Sequence, residues 1–285
     1  MKPLNALRDE LKFVGEFRAL FDVIQQVAVA QLHRLDEVLE GQPRVSEALR
    51  REFFPLVPAS ARRLRWVRGG GRGRLVVVVT SEEGMAGPLY GEIARRAQAL
   101  ATPETHWVLL GSRGLRALDA PKEHVRVIPM PEQDTLAAQL GSLAQWLVRE
   151  YRQRRLESVW LVAAEYRSPT RHEITAQQVL PLPLPAGHAP EDDQELVIEP
   201  SAARAVQALA AVWAQALCRD VVWSARRAEC AARALHMEDA RQQLGRRAEQ
   251  LRHGFFKAQH ERVDVMVRES CVVQRLAAVR RAGGR

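Results

Sequence analysis

The chain has 285 residues, 47% of them hydrophobic and 27% charged, with 42 Lys and Arg against 34 Asp and Glu and a net charge of +8. That is apolar material for one ordinary domain plus extended helices, and it excludes a disordered chain. No apolar run reaches the eighteen or so residues of a membrane span, and Met1-Lys2-Pro3-Leu4 leads into charged residues without a secretory core, so the expectation is a cytoplasmic protein.

The first element is a long helix from Asn5 to about Leu39. Leu4, Leu7, Leu11, Val14, Phe17, Leu20, Ile24, Val27, Leu32, Leu35 and Leu39 recur at helical spacing, with Arg8, Asp9, Lys12, Glu16, Asp22 and Gln25 on the other faces. Pro43 should interrupt it, Val45 to Phe54 resume helical spacing, and Pro55 and Pro58 end the segment. Arg68-Gly69-Gly70-Gly71-Arg72-Gly73 reads as a flexible connector, since a phosphate loop would need a closing Lys-Ser/Thr.

Strand and helix then alternate. Leu75 to Val79 is a β-branched run, Gly87 to Leu100 a helix, His106 to Leu110 a strand closed by Gly111-Ser112-Arg113-Gly114, and Val125 to Ile128 a third strand. Thr135 to Arg154 is a helix with Leu136, Leu140, Leu143, Leu147 and Tyr151 inward, and Ser158 to Ala163 a fourth strand. The alternation predicts an α/β layer with a mainly parallel, Rossmann-like sheet. Arg171 to Leu180 is extended, Pro181 to Pro185 leaves the sheet, Glu191-Asp192-Asp193 is an acidic turn, and Glu195 to Ile198 is a last short strand.

From Ser201 to Arg281 there is no proline, and Ala, Leu, Arg, Gln and Glu dominate, which predicts one helix of roughly 120 Å. Val206, Leu209, Trp213, Leu217, Val221, Ala228, Ala231, Leu235, Leu244, Leu251, Phe255 and Ala258 form its apolar stripe. Such a helix outruns any single core and calls for a helical partner, the N-terminal helix, as an antiparallel coiled coil with a seam at Leu11, Ile24, Val27, Leu235, Leu244 and Leu251. The domain plan is therefore a coiled-coil helix over 1–60, a linker over 61–73, a central α/β domain over 74–200 and a second coiled-coil helix over 201–285.

From Ser201 onward about sixteen basic residues face about eight acids, the whole of the charge excess. Acids interleave with them and no nucleic-acid motif accompanies them, so a solvated face or an acidic protein partner is favoured over DNA. Cys218, Cys230 and Cys271 lack metal-ligand spacing and read as reduced thiols, and His33, His106, His172, His236 and His260 are scattered. Ser81-Glu82-Glu83-Gly84-Met85-Ala86-Gly87 follows the first strand but lacks a dinucleotide fingerprint, and Glu82, Glu83 and Glu165 have neither nucleophile nor oxyanion donor. No catalytic residue, cofactor or metal is expected.

Terminal helices around an α/β domain, with four ordered motifs, resemble the gamma subunit of F-type ATP synthases. Val77 to Gly87 look like that family's strand and turn, and Leu110-Gly111-Ser112-Arg113-Gly114 like its I-G-x-K-G. Glu165-Tyr166-Arg167-Ser168 with Gln178-Val179-Leu180-Pro181-Leu182 is similar to its F-x-S and Q-x-L-L-P-L, and Ile198-Glu199-Pro200-Ser201 to its Y-E-P-D/S. The resemblance implies a central rotor shaft that couples ion flow to ATP synthesis or hydrolysis. Its partners would be alpha and beta subunits, an epsilon subunit and a ring of c subunits on the cytoplasmic side of the inner membrane.

The resemblance further implies that Glu199 touches the rotor ring, that Gly84 and Gly87 are turn glycines, and that Lys257, Gln259, His260, Asp264 and Met266 lie at the apex within the alpha-beta ring. Gln259, His260, Asp264 and Met266 depart from the family's apex pattern, and Gln31 stands where a lysine is usual, which suggests a divergent gamma from a second bacterial ATPase. A nucleotide-binding α/β enzyme and a basic coiled-coil adaptor are the alternatives.

Overall fold

The computed structural model describes residues 3–41, 44–132, 135–185 and 198–282. Pro43, the acidic turn at 191–193 and nearly all of the strand expected at 195–198 lie outside the described residues. Contacts divide the chain into two units, residues 28–234 and residues 1–27 with 235–285, and the division falls inside both long helices.

The larger unit is built on a five-stranded sheet of order β3-β2-β1-β4-β5, with β1 Arg74–Val79, β2 Thr105–Leu110, β3 Val125–Ile128, β4 Ser158–Ser168 and β5 Arg171–Leu180. The first four are parallel, with Val77 opposite Val108 on one side and Leu161 on the other, and β5 returns antiparallel along β4. The segment read only as extended is thus an edge strand. β4 runs five residues past the expected Ala163 because Ala164 to Ser168 pair with Arg171 to Ile174 in the hairpin.

Helices cover both faces, which is why β1 is apolar at every position from Leu75 to Val79 and not at alternate ones. Val77, Val79, Val108 and Leu161 meet Leu140, Leu147 and Tyr151 of α5 (Leu136–Gln153) together with Trp213, Leu217 and Val221 of α6 (Ala202–Ala282). Val76, Val78, Leu109 and Val162 meet Leu89 and Ile93 of α4 (Leu89–Gln98) with Ala228 and Ala232. Trp213 is fully buried, stacks edge-on to Phe54 at 4.9 Å and donates its indole N–H to Val179 O at 3.0 Å. Ala210 and Ala214 beside it let the helix approach closely.

One 18-residue window of α6 reaches a mean hydropathy of 1.2 with few charges, which the sequence reading had not found. Half of that window is buried inside the fold. Its apolar character is therefore that of a core helix.

The Gly/Arg run differs from a flexible connector. Arg65–Arg68 form a helical turn, α3, and the glycines seat the chain against the turn after α5. Arg72 N–H donates to Arg155 O at 2.9 Å, and a Cβ on Gly71 would lie 1.7 Å from that same oxygen. The Arg65 guanidinium donates to Tyr151 O at 3.1 Å and Leu156 O at 3.2 Å, closing the C-terminus of α5. Upstream, α2 (Val45–Ala48) passes into one π turn, Leu49–Phe53, and its first turn is capped from α6: Asp220 accepts from Ser46 N–H at 3.1 Å and Ser46 Oγ at 2.5 Å.

In the smaller unit, α1 (Leu4–Leu39) and α6 run antiparallel through residues 4–27 and 235–258. Leu7 and Val14 pack with Ala248 and Leu251, flanked by Leu11, Leu244, Phe255 and Ala258. Glu10 pairs with Arg247 at 2.7 Å and Asp22 with Arg241 at 4.0 Å, so partner numbers fall on α6 as they rise on α1. Two expected seam residues are corrected. Val27 is 51% exposed and Leu235 is 38% exposed, while the neighbouring Ala28 and Met237 are buried. A straight helix drifts by about 20° per heptad against a strict repeat, so over successive heptads a residue placed by that repeat turns out of the contact.

Replacing Gly71 with alanine should destabilise the chain by about 3 kcal/mol or more, because backbone on both sides must move. Gly91 in α4 has open space around it, and G91A should be neutral or stabilising by about 0.5–1 kcal/mol. Urea melts of the two variants check the pair.

Candidate functional site

The carboxyl ends of β1, β2 and β3 are where an open α/β sheet places its functional groups, and here they meet α1 and α6. The loop after β1 lies under the loop after β2. Thr80 Oγ1 donates within reach of Leu110 O at 3.2 Å and Gly111 O at 2.9 Å, and a Cβ on Gly111, at φ +94, would lie 2.6 Å from Ser81 N. Gly114 is equally forced by Thr80 Cγ2 at 2.6 Å. The glycines make a crossing of two loops.

Glu82 fastens that crossing. Its carboxylate accepts from Ser112 Oγ at 2.5 Å, Ser112 N–H at 3.3 Å and Met130 N–H at 3.1 Å, so one side chain joins the loops after three strands. The Ser112 hydroxyl foremost, with the two backbone donors, holds its pKa below the usual carboxylate value.

Behind it lies a buried ionic cluster centred on Arg233, which is 5% exposed. Its guanidinium meets Glu83 at 2.5 Å, Glu229 one turn back on α6, Gly84 O at 3.1 Å and Gln31 Oε1 of α1 at 3.2 Å. Tyr90 Oη donates to Glu83 O at 3.1 Å or Glu229 Oε1 at 3.2 Å. Burial raises the Glu229 pKa despite the Arg233 charge, and burial also lifts the Tyr90 hydroxyl. Arg226 reaches Pro131 O, and burial lowers its pKa. Cys230 lies within 3.8 Å of Gln31 Oε1, and burial pushes its thiol up to about 12, far from a reactive thiolate.

These groups line a cavity of about 470 Å³ with Arg34, Leu35 and Glu132. Glu82, Glu83, Glu229 and Arg233 are spent on one another, on the Ser112 hydroxyl and on backbone, an arrangement that binds three segments of chain together. Glu165, the third carboxylate weighed as an acid or base, pairs with Arg44 at 3.3 Å and Arg167 at 3.0 Å. Among the described residues no group of three or more His, Cys, Asp or Glu gathers at metal distance.

Of the residues named from sequence, Gln31, Glu83 and Gly84 belong to this cluster, with Glu82 and Cys230 beside it. Gly87 sits at φ +60 just before α4 and Glu199 is exposed next to α6. Lys257, Gln259, His260, Asp264 and Met266 are exposed on α6, in the other unit. Leu11 and Leu244 are half-buried, Leu251 is buried and Ile24 is half-buried. Arg233, Glu229, Tyr90 and Arg226 escaped the sequence reading. The Glu229/Arg233 spacing of one helical turn was visible, but such pairs are usually solvated.

The family model described as ATP synthase matches residues 3–263. The chain belongs to that family. It is 28% identical over 225 residues to an ATP synthase gamma chain of Methylobacterium sp. (strain 4-46), covering 73% of this chain and 77% of that one. It is 25% identical over 218 residues to the ATP synthase gamma chain of Geobacter sp. (strain M21), covering 71% and 74%. Among solved structures, a chain of the Euglena gracilis mitochondrial ATP synthase, in its OSCP/F1/c-ring portion, superposes with a TM-score of 0.73 at 14% identity, over 99% of this chain and 96% of that one. A central-stalk chain of the Tetrahymena thermophila mitochondrial enzyme gives 0.56 at 15% identity, over 78% and 99%. The fold expected from the resemblance is thus the fold found: an α/β sheet between long terminal helices.

Removing the Arg233 charge should be severe, because Glu229 is left buried without its partner: R233M should cost about 3–5 kcal/mol, read by chemical denaturation. The pH dependence has a definite sign. The Glu229 pKa is raised from 4.5 in the folded chain, so its contribution favours folding at low pH and declines as pH rises from about 4.5 through the folded value. E229Q removes that slope, and its stability relative to the parent should improve as pH rises from about 4.5.

Proposed function

We propose that the chain is the central-stalk rotor, the gamma subunit, of an F-type ATP synthase or ATPase, a non-catalytic part of a membrane-associated complex. One observation carries this reading: the two ends of the polypeptide pair antiparallel along an apolar seam, in a chain of the ATP synthase family. Helices zipped in this way resist fraying and so transmit torque. Turning inside a ring of alpha and beta subunits, they favour at each angle the conformations that make the better contacts.

The surface of the smaller unit suits that role. From Arg262 to Val272 every residue of α6 is exposed, including Val263, Val265, Met266 and Val267. On α1, Phe13, Phe17, Leu20, Val23 and Val27 form a second apolar face outside the seam, with Phe13 and Phe17 stacked at 4.4 Å. Exposed apolar area of this kind marks a protein interface. It supports apex contacts at Lys257, Gln259, His260, Asp264 and Met266 with the alpha-beta ring. Exposed Glu199 is the proposed contact with the c ring, beside an epsilon subunit, on the cytoplasmic side of the inner membrane. The ionic cluster around Arg233 then serves the drive by locking the loop after β1 to α1 and α6.

Co-expression with the alpha and beta subunits of the same genome should yield a complex that co-purifies with this chain, and failure to co-purify overturns the reading. In that complex L251D, which buries a carboxylate in the seam, should cost the shaft about 3–5 kcal/mol and reduce ATP-driven ion pumping more than ATP hydrolysis. Pumping at the parental rate would refute the seam.

A further inference from the structure

The stretch Ala59 to Arg74 contains six arginines and no acid. In the fold it is stitched to a second basic stretch at the end of α5. Arg65 donates to Arg152 O at 3.4 Å and Leu156 O at 3.2 Å, Arg72 N–H to Arg155 O at 2.9 Å, and Glu157 N–H to Gly73 O at 2.8 Å. Two turns at the amino ends of β1 and β4 are thus joined, and Arg63, Arg68, Arg72, Arg149, Arg152 and Arg155, carried by these two stretches, are all exposed.

Nearby acids neutralise other residues. Glu150 pairs with Arg154 at 2.5 Å and Glu157 with Arg74 at 3.2 Å. Among the described residues the six arginines of the face form no ion pair, and Arg62 beside them has Nε and Nη2 buried without a hydrogen-bond partner. Neither packing nor internal charge accounts for so many like charges side by side. Gln207, near the start of α6, lines a hollow with Trp66, Arg149 and Arg152, so this face lies at the end of the α/β unit where α6 begins.

We propose that this arginine face docks on an anionic phospholipid surface. A protein interface would be centred on apolar anchors, and none of the exposed large apolar residues falls in 59–74 or 149–157. A nucleic-acid face would offer a stacking aromatic, whereas Trp66 is half-buried against Tyr151 at 5.7 Å. What is left is a set of exposed guanidinium groups on short helical turns, two loops and the end of α5, which matches many phosphate headgroups at once. Clusters of four to eight basic side chains bind anionic bilayers in this way, at about 1 kcal/mol each.

The test uses the purified full-length chain and sedimenting vesicles, either pure phosphatidylcholine or phosphatidylcholine with 30% phosphatidylglycerol. Binding to the anionic vesicles alone, lost at high salt, is expected. Replacing Arg63, Arg68, Arg72 and Arg152 with Gln should weaken it on the order of 100- to 1,000-fold. Replacing Arg246, Arg252, Arg262 and Arg268 changes net charge equally and should weaken it far less. Circular dichroism and melting midpoints confirm that both variants fold. The proposal fails if the parent ignores anionic vesicles, or if the two variants lose binding equally. It also fails if the face variant keeps full vesicle binding, which would leave the arginines to an acidic protein partner. The assay reads lipid binding without the alpha or beta subunits, so its outcome is separate from that of the rotor reading.

Discussion

An 81-residue helix satisfies its own backbone but not its own side chains, and the fold follows from what covers α6 along its length. From Val206 to Ala232 the cover is the sheet and its helices, and the residues facing inward are Trp213, Leu217, Val221 and a series of alanines. From Leu244 to Ala258 the cover is α1. Past Arg262 the described side chains have none. One helix therefore serves as core element, coiled-coil strand and exposed probe, and its overall amphipathicity is correspondingly slight, because the face that needs covering changes from segment to segment.

Much of this could be read from residue patterns, for reasons that differ between elements. The β-branched run at 75–79 and the Leu spacing of 136–151 are strong local signals, and the chemistry that produces them, burial on both faces or on one, is the chemistry of the fold. The seam was legible in kind but not in detail. Sequence reading selects the largest apolar residue, Val27 or Leu235, whereas two helices approaching closely place the smallest, Ala28, at the contact. Phe17 and Leu20 likewise have core-type side chains on an outer face.

The Gly/Arg run misled for a related reason. Glycine permits flexibility, but it also permits backbone to touch backbone, and composition does not distinguish the two. At Gly71 only the distance to Arg155 O decides. The ionic cluster was hidden because its members come from residues 31, 83, 90, 229 and 233, and no local window spans them. Its clearest trace was Gln31, where the family resemblance implied a lysine; here that side chain accepts from Arg233.

The covering of the sheet by α6 has a consequence for biosynthesis. All five strands are complete by Leu180, yet Trp213, Leu217 and Val221, which close one face, leave the ribosome only after them, and the partner of α1 emerges later still. Until then the nascent chain carries a bare apolar face and an unmatched amphipathic helix, the kind of surface that chaperones hold. Contacts joining Leu7 and Val14 to Ala248 and Leu251 also make for slow closure. A polypeptide stopped short of its final third would be left with strands but no lid, so translation must finish before the molecule can become itself.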